Sequence, residues 1–171
     1  MELIIADCNF DLQKMHEYLL IYGYYCYHDD SLINIVSKKD IIWEDEIDGY
    51  ASCECDVYTK FFIETQLNKF KNLYPNLKLT NSSIYYGIEK GAEVWHTDAR
   101  ENIKIQALCY QEDFQIIEGG SLQIQCYDKI ERHYYPKNGD VMIINHTTDI
   151  KHKVEKIVAN KKRIVLNMVF Q

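Results

Sequence analysis

The chain lacks the features of a membrane or secreted protein. No apolar run approaches the ~20 residues that a membrane-spanning helix needs. The first seven residues contain no basic residue, and the apolar stretch within them is too short for a secretory signal peptide. The six cysteines include no C-x-x-C pair. We therefore expect free thiols, a cytoplasmic protein and no membrane partner.

Positive charge is also in deficit, and this bears on the class of partner. The 171 residues carry 19 Lys and Arg against 26 Asp and Glu, a formal net charge of −7. This balance disfavours a nucleic-acid partner, because binding to phosphates depends on clustered cations. The lysines between residues 151 and 162 form a local basic strip, which we interpret as the solvated faces of two strands.

Linkers, low-complexity tracts and internal repeats are absent, so residues 1–171 are predicted to form a single domain. The first part, residues 1–75, is predicted to be a helical support region. Asn9 can cap a first helix that ends near Tyr22. A second helix is predicted from Asp56 to Tyr74. Two short strands are candidates between these helices: Leu32–Val36 and Asp40–Trp43.

The second part, residues 77–170, has the pattern of β-structure. Short segments rich in β-branched residues alternate with turn residues. The predicted strands are Leu77–Tyr86, Ala92–Thr97, Ile103–Tyr110, Ser121–Tyr127, Val141–Asn145, His152–Val158 and Arg163–Phe170. So many short strands predict a jelly roll. The expected fold class is α+β, mainly β, with the N-terminal helices packed on one sheet.

A metal site is indicated by His96-Thr97-Asp98 and a second histidine, His152. In a strand, side chains at i and i+2 point to the same face, so the imidazole and carboxylate of the first motif can reach one ion. The alternative is a histidine at a strand end that simply bonds to a nearby acid. Two imidazoles and one carboxylate form a facial triad, which leaves three positions of an octahedral ion open and suits non-haem Fe(II).

Residues 80–170 resemble the 2-oxoglutarate-dependent Fe(II) oxygenases, in particular their prolyl 4-hydroxylase-like branch. That branch has a tyrosine, a glycine-containing turn, H-x-D, G-G-x-L, P-x-x-G-D before an apolar strand, H-x-V and a basic residue on the last strand. The counterparts here are Tyr86, His96-Thr97-Asp98, Gly119-Gly120-Ser121-Leu122, Pro136-Lys137-Asn138-Gly139-Asp140, His152-Lys153-Val154 and Arg163. The first 75 residues resemble the family only in general layout.

The resemblance implies a role for each motif. The catalytic metal ligands would be His96, Asp98 and His152. Arg163 would form a salt bridge to the distal carboxylate of 2-oxoglutarate. Lys162 remains an alternative for that salt bridge, because the loop before it is about one residue longer than in the family.

Three further side chains are expected at the co-substrate pocket. Tyr86 lies ten residues before His96, a spacing at which the family's tyrosine donates its hydroxyl to a co-substrate carboxylate. A tyrosine that only packs in the core is the alternative. Leu108 and Tyr110 share a face of one predicted strand and are expected to line the same pocket.

The reaction implied by the resemblance needs Fe(II), 2-oxoglutarate as co-substrate and O₂, with ascorbate as a further candidate. It hydroxylates a C–H bond and releases succinate and CO₂. Asp98 favours hydroxylation, because halogenating relatives lack the carboxylate at this position. The first candidate substrate is a peptidyl side chain of the prolyl type. A free amino acid or another small metabolite is the next.

Two other functions remain open. Nucleic-acid demethylases of the same superfamily carry a second arginine six residues after the co-substrate arginine, where this chain has Val169. A non-catalytic barrel that binds a metal or a ligand is the other alternative. The sequence does not predict the oligomeric state.

Overall fold

The computed structural model describes residues 2–35, 50–53, 57–87, 94–98, 104–146, 150–158 and 161–171. Within them lie two α-helices, two short 3-10 helices and ten strands. The helices are α1 (Leu12–Ile21) and α2 (Val57–Lys71). The strands are β1 (Glu2–Leu3), β2 (Tyr24–His28), β3 (Tyr50–Cys53), β4 (Leu79–Gly87), β5 (Ile105–Tyr110), β6 (Leu122–Gln125), β7 (Glu131–Tyr134), β8 (Asp140–Asn145), β9 (Lys151–Val154) and β10 (Arg163–Phe170).

The first predicted helix is confirmed as α1, with a cap two residues later than Asn9. The Asp11 carboxylate accepts a hydrogen bond from the backbone N–H of Lys14 at 2.9 Å, and the helix therefore begins at Leu12. Gly23 follows the helix with φ +82°, a conformation that residues with a side chain rarely adopt. The chain can then turn directly into β2.

The second predicted helix is confirmed as α2, which ends at Lys71 rather than Tyr74. The carbonyl of Phe70 accepts the N–H groups of both Leu73 and Tyr74 at 3.0 Å, so the chain leaves the helix in a tight turn. Ile63 and Phe70 are buried against the larger sheet. Neither of the described helices is long and apolar enough to cross a bilayer.

The strands form two sheets, as the predicted jelly roll requires. The minor sheet has the order β1-β7-β6-β9, and the major sheet has the order β2-β8-β5-β10-β4-β3. Neighbouring strands among the described residues are antiparallel, except for β1 with β7. Side chains from both sheets meet in one core, so the fold is mainly β with helices on one face. The first part of the chain supplies three of the strands as well as both helices.

The N-terminal strand predictions need correction. Leu32–Val36 is wrong as a strand, because residues 30–32 form a 3-10 helix and a turn follows. Asp40–Trp43 lies outside the described residues. The strand that the sequence did not reveal is β2, where three tyrosines and a cysteine are all buried. It shows no alternation of polar and apolar residues because both of its faces are covered.

In the second part, β10 has the predicted bounds, and β4, β5, β6, β8 and β9 fall within one to four residues of theirs. Ala92–Thr97 is replaced, within the described residues 94–98, by a single bridge at His96. A further strand, β7, was not predicted. Its sequence, Glu-Arg-His-Tyr, is largely polar, so it carries no strong β signal.

Alternation along the major sheet separates two cores. On β10, Ile164, Leu166, Met168 and Phe170 face the helices, and Val165 faces the minor sheet. The outer core lies between the helices and the major sheet, and the inner core lies between the two sheets. Side chains on the inner face can therefore converge on a site inside the jelly roll.

Candidate metal centre

The two histidines of the predicted site are held together by backbone hydrogen bonds. His96 donates its N–H to the carbonyl of His152 at 3.0 Å, and His152 donates to His96 at 2.9 Å. This isolated antiparallel bridge joins residues 94–98 to β9. It places the two imidazole centroids 4.4 Å apart.

Asp98 completes the cluster. One carboxylate oxygen lies 3.4 Å from Nε2 of His152, and the other lies 3.8 Å from Nε2 of His96. One possible ligand atom from each residue lies within 4.8 Å of the other two. Two imidazole nitrogens and a carboxylate oxygen are a donor set that suits a divalent first-row metal, so these residues fit the ion that the resemblance implies.

The His96 ring is oriented by its own chain segment. Its Nδ1 lies 2.8 Å from the carbonyl oxygen of Val94. Because a carbonyl can only accept, Nδ1 carries the hydrogen, and Nε2 keeps its lone pair on the side of Asp98. A metal-binding imidazole is commonly fixed in this way through its second nitrogen.

The pKa of Asp98 is lowered to about 2. The main cause is the contact with His152, and the charges of His152, His96 and His146 act in the same direction. Partial burial opposes them. The carboxylate is therefore ionised at neutral pH, which is the form that binds a cation.

The cluster opens into a pocket between the sheets. One end of this pocket is polar, and its walls are largely aliphatic. The lining residues are His96, Asp98, Gln106, Leu108, Tyr110, Leu122, His152, Val154, Arg163 and Val165. All the residues of the predicted site whose side chains are described thus line one pocket.

Arg163 is the buried cation of this pocket. It is only 6% exposed, and its Nε has no hydrogen-bond partner among the described residues. A buried guanidinium with an unsatisfied N–H is costly unless a ligand completes it. Lys162 is exposed, so the geometry favours Arg163 over Lys162 for binding an anion inside the pocket.

Two side chains of β5 lie beside Arg163. Leu108 and Tyr110 both line the pocket, as alternation along the strand predicts. Burial raises the pKa of the Tyr110 hydroxyl, and the nearby charge of Arg163 opposes that shift. The hydroxyl is therefore a neutral hydrogen-bond donor at neutral pH.

The side chain of Tyr86 lies outside those described, although its backbone position is clear. In the β4–β10 register, Tyr86 is opposite Ile164 and Tyr85 is opposite Val165. Val165 lines the pocket, whereas Ile164 belongs to the outer core. The role of Tyr86 stays a prediction.

One pocket residue was not singled out from the sequence. Gln106 lies two residues before Leu108 on the same face of β5 and lines the pocket. Extending the alternation of Leu108 and Tyr110 by one step would have found it. Nε2 of His146 lies 3.2 Å from the side-chain oxygen of Gln106.

No protein-family model matches the chain, and no curated protein matches it in sequence. Solved structures do match. A 2-oxoglutarate/Fe(II) oxygenase family protein from Burkholderia pseudomallei has a TM-score of 0.76 at 12% identity, covering 100% of this chain and 95% of its own. A prolyl-4-hydroxylase from Pseudomonas putida has a TM-score of 0.67 at 15% identity, covering 94% and 98%.

A third match extends the range of ligands among these structures. HygX from Streptomyces hygroscopicus, solved with nickel, 2-oxoglutarate and hygromycin B, has a TM-score of 0.69 at 9% identity and covers 94% of this chain and 87% of its own. Identities this low establish the fold alone. The chain has the jelly-roll fold of the 2-oxoglutarate/Fe(II) oxygenases.

Proposed function

We propose that this chain is a 2-oxoglutarate-dependent Fe(II) oxygenase that hydroxylates a C–H bond. The observation that carries the proposal is the convergence of His96, Asp98 and His152 in a pocket that also contains the buried Arg163. The fold that the chain shares with known oxygenases supports the same conclusion. A pure core-packing role for these residues would not explain an unpartnered guanidinium N–H in the pocket.

In this proposal, His96, Asp98 and His152 bind Fe(II) as a facial triad. When bound, the iron supplies the redox chemistry that couples decarboxylation of 2-oxoglutarate by O₂ to hydroxylation of the substrate, with release of succinate and CO₂. The ionised Asp98 contributes the one negative charge of the triad. The bridge between His96 and His152 holds the two imidazoles in place before the metal arrives.

Arg163 binds the distal carboxylate of 2-oxoglutarate. A guanidinium presents its N–H groups in a fork that matches a carboxylate, and burial strengthens the interaction. Tyr110 lines the same region and can donate its hydroxyl to the same carboxylate. Leu108 packs along the aliphatic part of the co-substrate. Tyr86 stays the donor predicted from the sequence, although the strand register pairs it with Ile164 of the outer core and not with a pocket residue.

The walls of the pocket limit the access of water. Leu108, Leu122, Val154 and Val165 surround the polar groups. Leu122 and Val165 are each 2% exposed. Excluding water strengthens the electrostatic attraction between Arg163 and a bound carboxylate.

The first candidate substrate is a peptidyl side chain of the prolyl type, supported by the resemblance and by the structural match to a prolyl-4-hydroxylase. A small-molecule substrate is the second candidate, and the match to HygX with bound hygromycin B supports it. A nucleic-acid demethylase is less well supported, because the chain is acidic and has Val169 where those enzymes carry a second arginine.

Three single alanine variants test the metal site: His96→Ala, Asp98→Ala and His152→Ala. Each should lose 2-oxoglutarate turnover. The measurement is succinate release with Fe(II) and O₂, in the presence and in the absence of ascorbate. Each should also lose the visible absorption band that Fe(II) and 2-oxoglutarate give together under anaerobic conditions. His16→Ala is the matched control, because His16 is exposed on α1, away from the pocket.

Full succinate release by Asp98→Ala would refute the triad. A normal band without any succinate release, over a broad panel of peptides and small molecules, would favour a barrel that binds the co-substrate without turnover. Mass spectrometry of a stimulating substrate should show the gain of one oxygen atom.

A further inference from the structure

A buried tyrosine that the proposed function does not use lies one layer behind the pocket. Tyr134 of β7 is 2% exposed and is opposite Leu122, a residue that lines the pocket, in the register of β6 with β7. Its ring packs edge-to-face on the ring of Tyr110, with the centroids 5.7 Å apart. Tyr110 itself lines the pocket, near the charge of Arg163. An electron that leaves Tyr134 therefore crosses one aromatic contact to reach the pocket.

The hydroxyl of Tyr134 faces a proton acceptor. It donates a hydrogen bond to the carboxylate of Asp140, a residue that is also 2% exposed. Burial raises the pKa of the Tyr134 hydroxyl well above its usual value, so the phenol keeps its proton at neutral pH. A phenol that loses an electron becomes a strong acid, because the positive charge left on the ring weakens the O–H bond. The bonded carboxylate can take that proton, so Tyr134 is easier to oxidise than a tyrosine that only packs.

The acceptor carboxylate is connected to the surface by a histidine. The other oxygen of Asp140 lies 2.7 Å from Nδ1 of His28, and Nε2 of His28 lies 3.1 Å from the carboxylate of Asp30. The side chain of His28 is 29% exposed and that of Asp30 is 92% exposed. Because a carboxylate can only accept, both contacts are satisfied when the imidazole carries a hydrogen on each nitrogen. A proton that arrives at Asp140 can then be matched by one that leaves Nε2 of His28 for solvent.

A structural role accounts for only part of this arrangement. Asp140 also accepts the backbone N–H of Lys137 at 2.9 Å and so shapes the turn before β8. That contact requires neither the hydroxyl of Tyr134 nor an imidazole. The hydroxyl, the carboxylate and the imidazole instead form one continuous chain of hydrogen bonds. Its buried end touches a ring that lines the pocket, and its outer end is a group that can exchange protons with solvent.

We propose that Tyr134 is a protective redox site, which supplies an electron to the pocket when O₂ is consumed there without a substrate. This inference rests on the proposed function, because that function is the source of the oxidant. A strong one-electron oxidant left in the pocket gains one electron from the Tyr134 phenol. The hydroxyl proton passes to Asp140, and His28 releases the proton on Nε2 to solvent.

Charge is balanced in this step. Before it, the three groups are a neutral phenol, a carboxylate and an imidazolium, the form that the raised pKa of His28 favours. After it, they are a neutral tyrosyl radical, a carboxylic acid and a neutral imidazole, so no unpaired charge is left in the core. One electron from a reductant in solution, such as ascorbate, and one proton from solvent restore the resting state. The oxidant is spent before it attacks the side chains that line the pocket.

Freeze-quench electron paramagnetic resonance tests the proposal on the full chain, loaded with Fe(II) and 2-oxoglutarate and mixed with O₂ without a substrate. The unaltered protein should give a tyrosyl radical signal, which ring-deuterated tyrosine narrows. Tyr134→Phe should lose this signal and gain oxygen adducts on pocket residues, found by peptide mapping. Asp140→Asn keeps an acceptor oxygen but no base, and it should lower the signal. Tyr135→Phe is the matched control, because Tyr135 is not among the described lining residues. It should behave like the unaltered protein, and thermal melting checks that each variant is folded.

Two results would overturn the inference: an unchanged signal in Tyr134→Phe, or no tyrosyl signal in unaltered protein that releases succinate. Succinate release in the same samples and the anaerobic absorption band of Fe(II) with 2-oxoglutarate report separately on the proposed function. If Fe(II) binds but no succinate is released, hydrogen peroxide replaces O₂ and 2-oxoglutarate as the source of oxidant, and the same criteria apply to the radical signal. A protein that binds no Fe(II) would refute both proposals, because no oxidant would form in the pocket.

Discussion

Arg163 shows how one buried side chain can decide what a pocket binds. Its neighbour Lys162 carries the same charge but is exposed, and it lies just before the first residue of β10. Only Arg163 lines the pocket. The choice between these two cations, open from the sequence alone, now has a structural argument in favour of Arg163.

Replacing Arg163 with Met should chiefly raise the KM for 2-oxoglutarate, by about a hundredfold, the scale of a buried charged hydrogen bond. Succinate release at varied 2-oxoglutarate is the measurement. Lys162→Met is the matched control and should leave KM within about twofold, since exposed charges contribute little. If Lys162→Met has the large effect instead, the proposed anchor is wrong by one residue.

A buried carboxylate lies at the start of β8, opposite the last residue of β2. Asp140 is 2% exposed and accepts hydrogen bonds from the Tyr134 hydroxyl and from the backbone N–H of Lys137. His28 lies 2.7 Å from the same carboxylate and 3.1 Å from Asp30. The pKa of His28 is raised from 6.5, mainly by the hydrogen bond with Asp140.

This raised pKa makes stability depend on pH. A group whose pKa is higher in the folded state stabilises the fold fully below its unfolded pKa, and that contribution is lost as pH rises through the folded pKa. We therefore expect His28→Gln to lower the free energy of unfolding more at about pH 5.5 than at about pH 8. Urea unfolding at the two pH values is the measurement. An equal loss at both would contradict the assignment of charge to this pair.

At the scale of elements, the contacts that join the short segment 94–98 to β9 are known from the described residues. Two backbone hydrogen bonds join it to β9 at His96 and His152. Beside them, the Lys153 ammonium lies over the Trp95 ring, 4.7 Å from its centroid. This cation–π contact is on the face of β9 away from the metal site, and we expect it to hold His96 and Asp98 in position.

Lys153→Met should therefore weaken binding of Co(II) to the metal-free protein by about two- to fivefold, the energy range of an exposed cation–π contact. Co(II) titration followed by visible absorption is the measurement. Lys151→Met is the control, because Lys151 lies on the same exposed face of β9 without a described contact to Trp95. Equal metal affinity in both variants would remove the proposed role of Lys153.

The predictability of each element follows from how its two faces are covered. β10 was predicted with its observed bounds because its sequence is rich in apolar and β-branched residues. β2 was not predicted, since tyrosines fill both of its faces and leave no alternation. The motif spacing indicated which residues could form the metal cluster. The hydrogen bond between Gln106 and Asn167 could not be predicted, because it depends on the register between β5 and β10.

At the scale of the molecule, one sheet supports both the helices and the pocket. Phe70 of α2 is fully buried and packs edge-to-face on Phe170 of β10, with ring centroids 5.5 Å apart. The same strand carries Arg163 on its other face. The helical layer and the jelly roll therefore share β10, and we propose that they unfold together as the single domain predicted from the sequence.

Phe70→Ala should lower the free energy of unfolding by about 3–5 kcal/mol, the usual cost of a large buried aromatic. Urea unfolding should remain one transition when circular dichroism and near-ultraviolet absorbance are compared. Leu20→Ala, at an exposed apolar residue of α1, is the control and should cost far less. Two separated transitions in the unaltered protein would contradict a single cooperative unit.

The alternation along β10 also makes this strand sensitive to the length of any insertion or deletion within it. Inserting or deleting one residue inside the strand would turn the guanidinium of Arg163 toward the apolar core beneath the helices. It would also turn isoleucine and leucine side chains toward the pocket. Inserting or deleting two residues would leave each side chain on its original face of the sheet. We therefore expect insertions and deletions in relatives of this chain to accumulate in the loops, and those within this strand to come in even numbers.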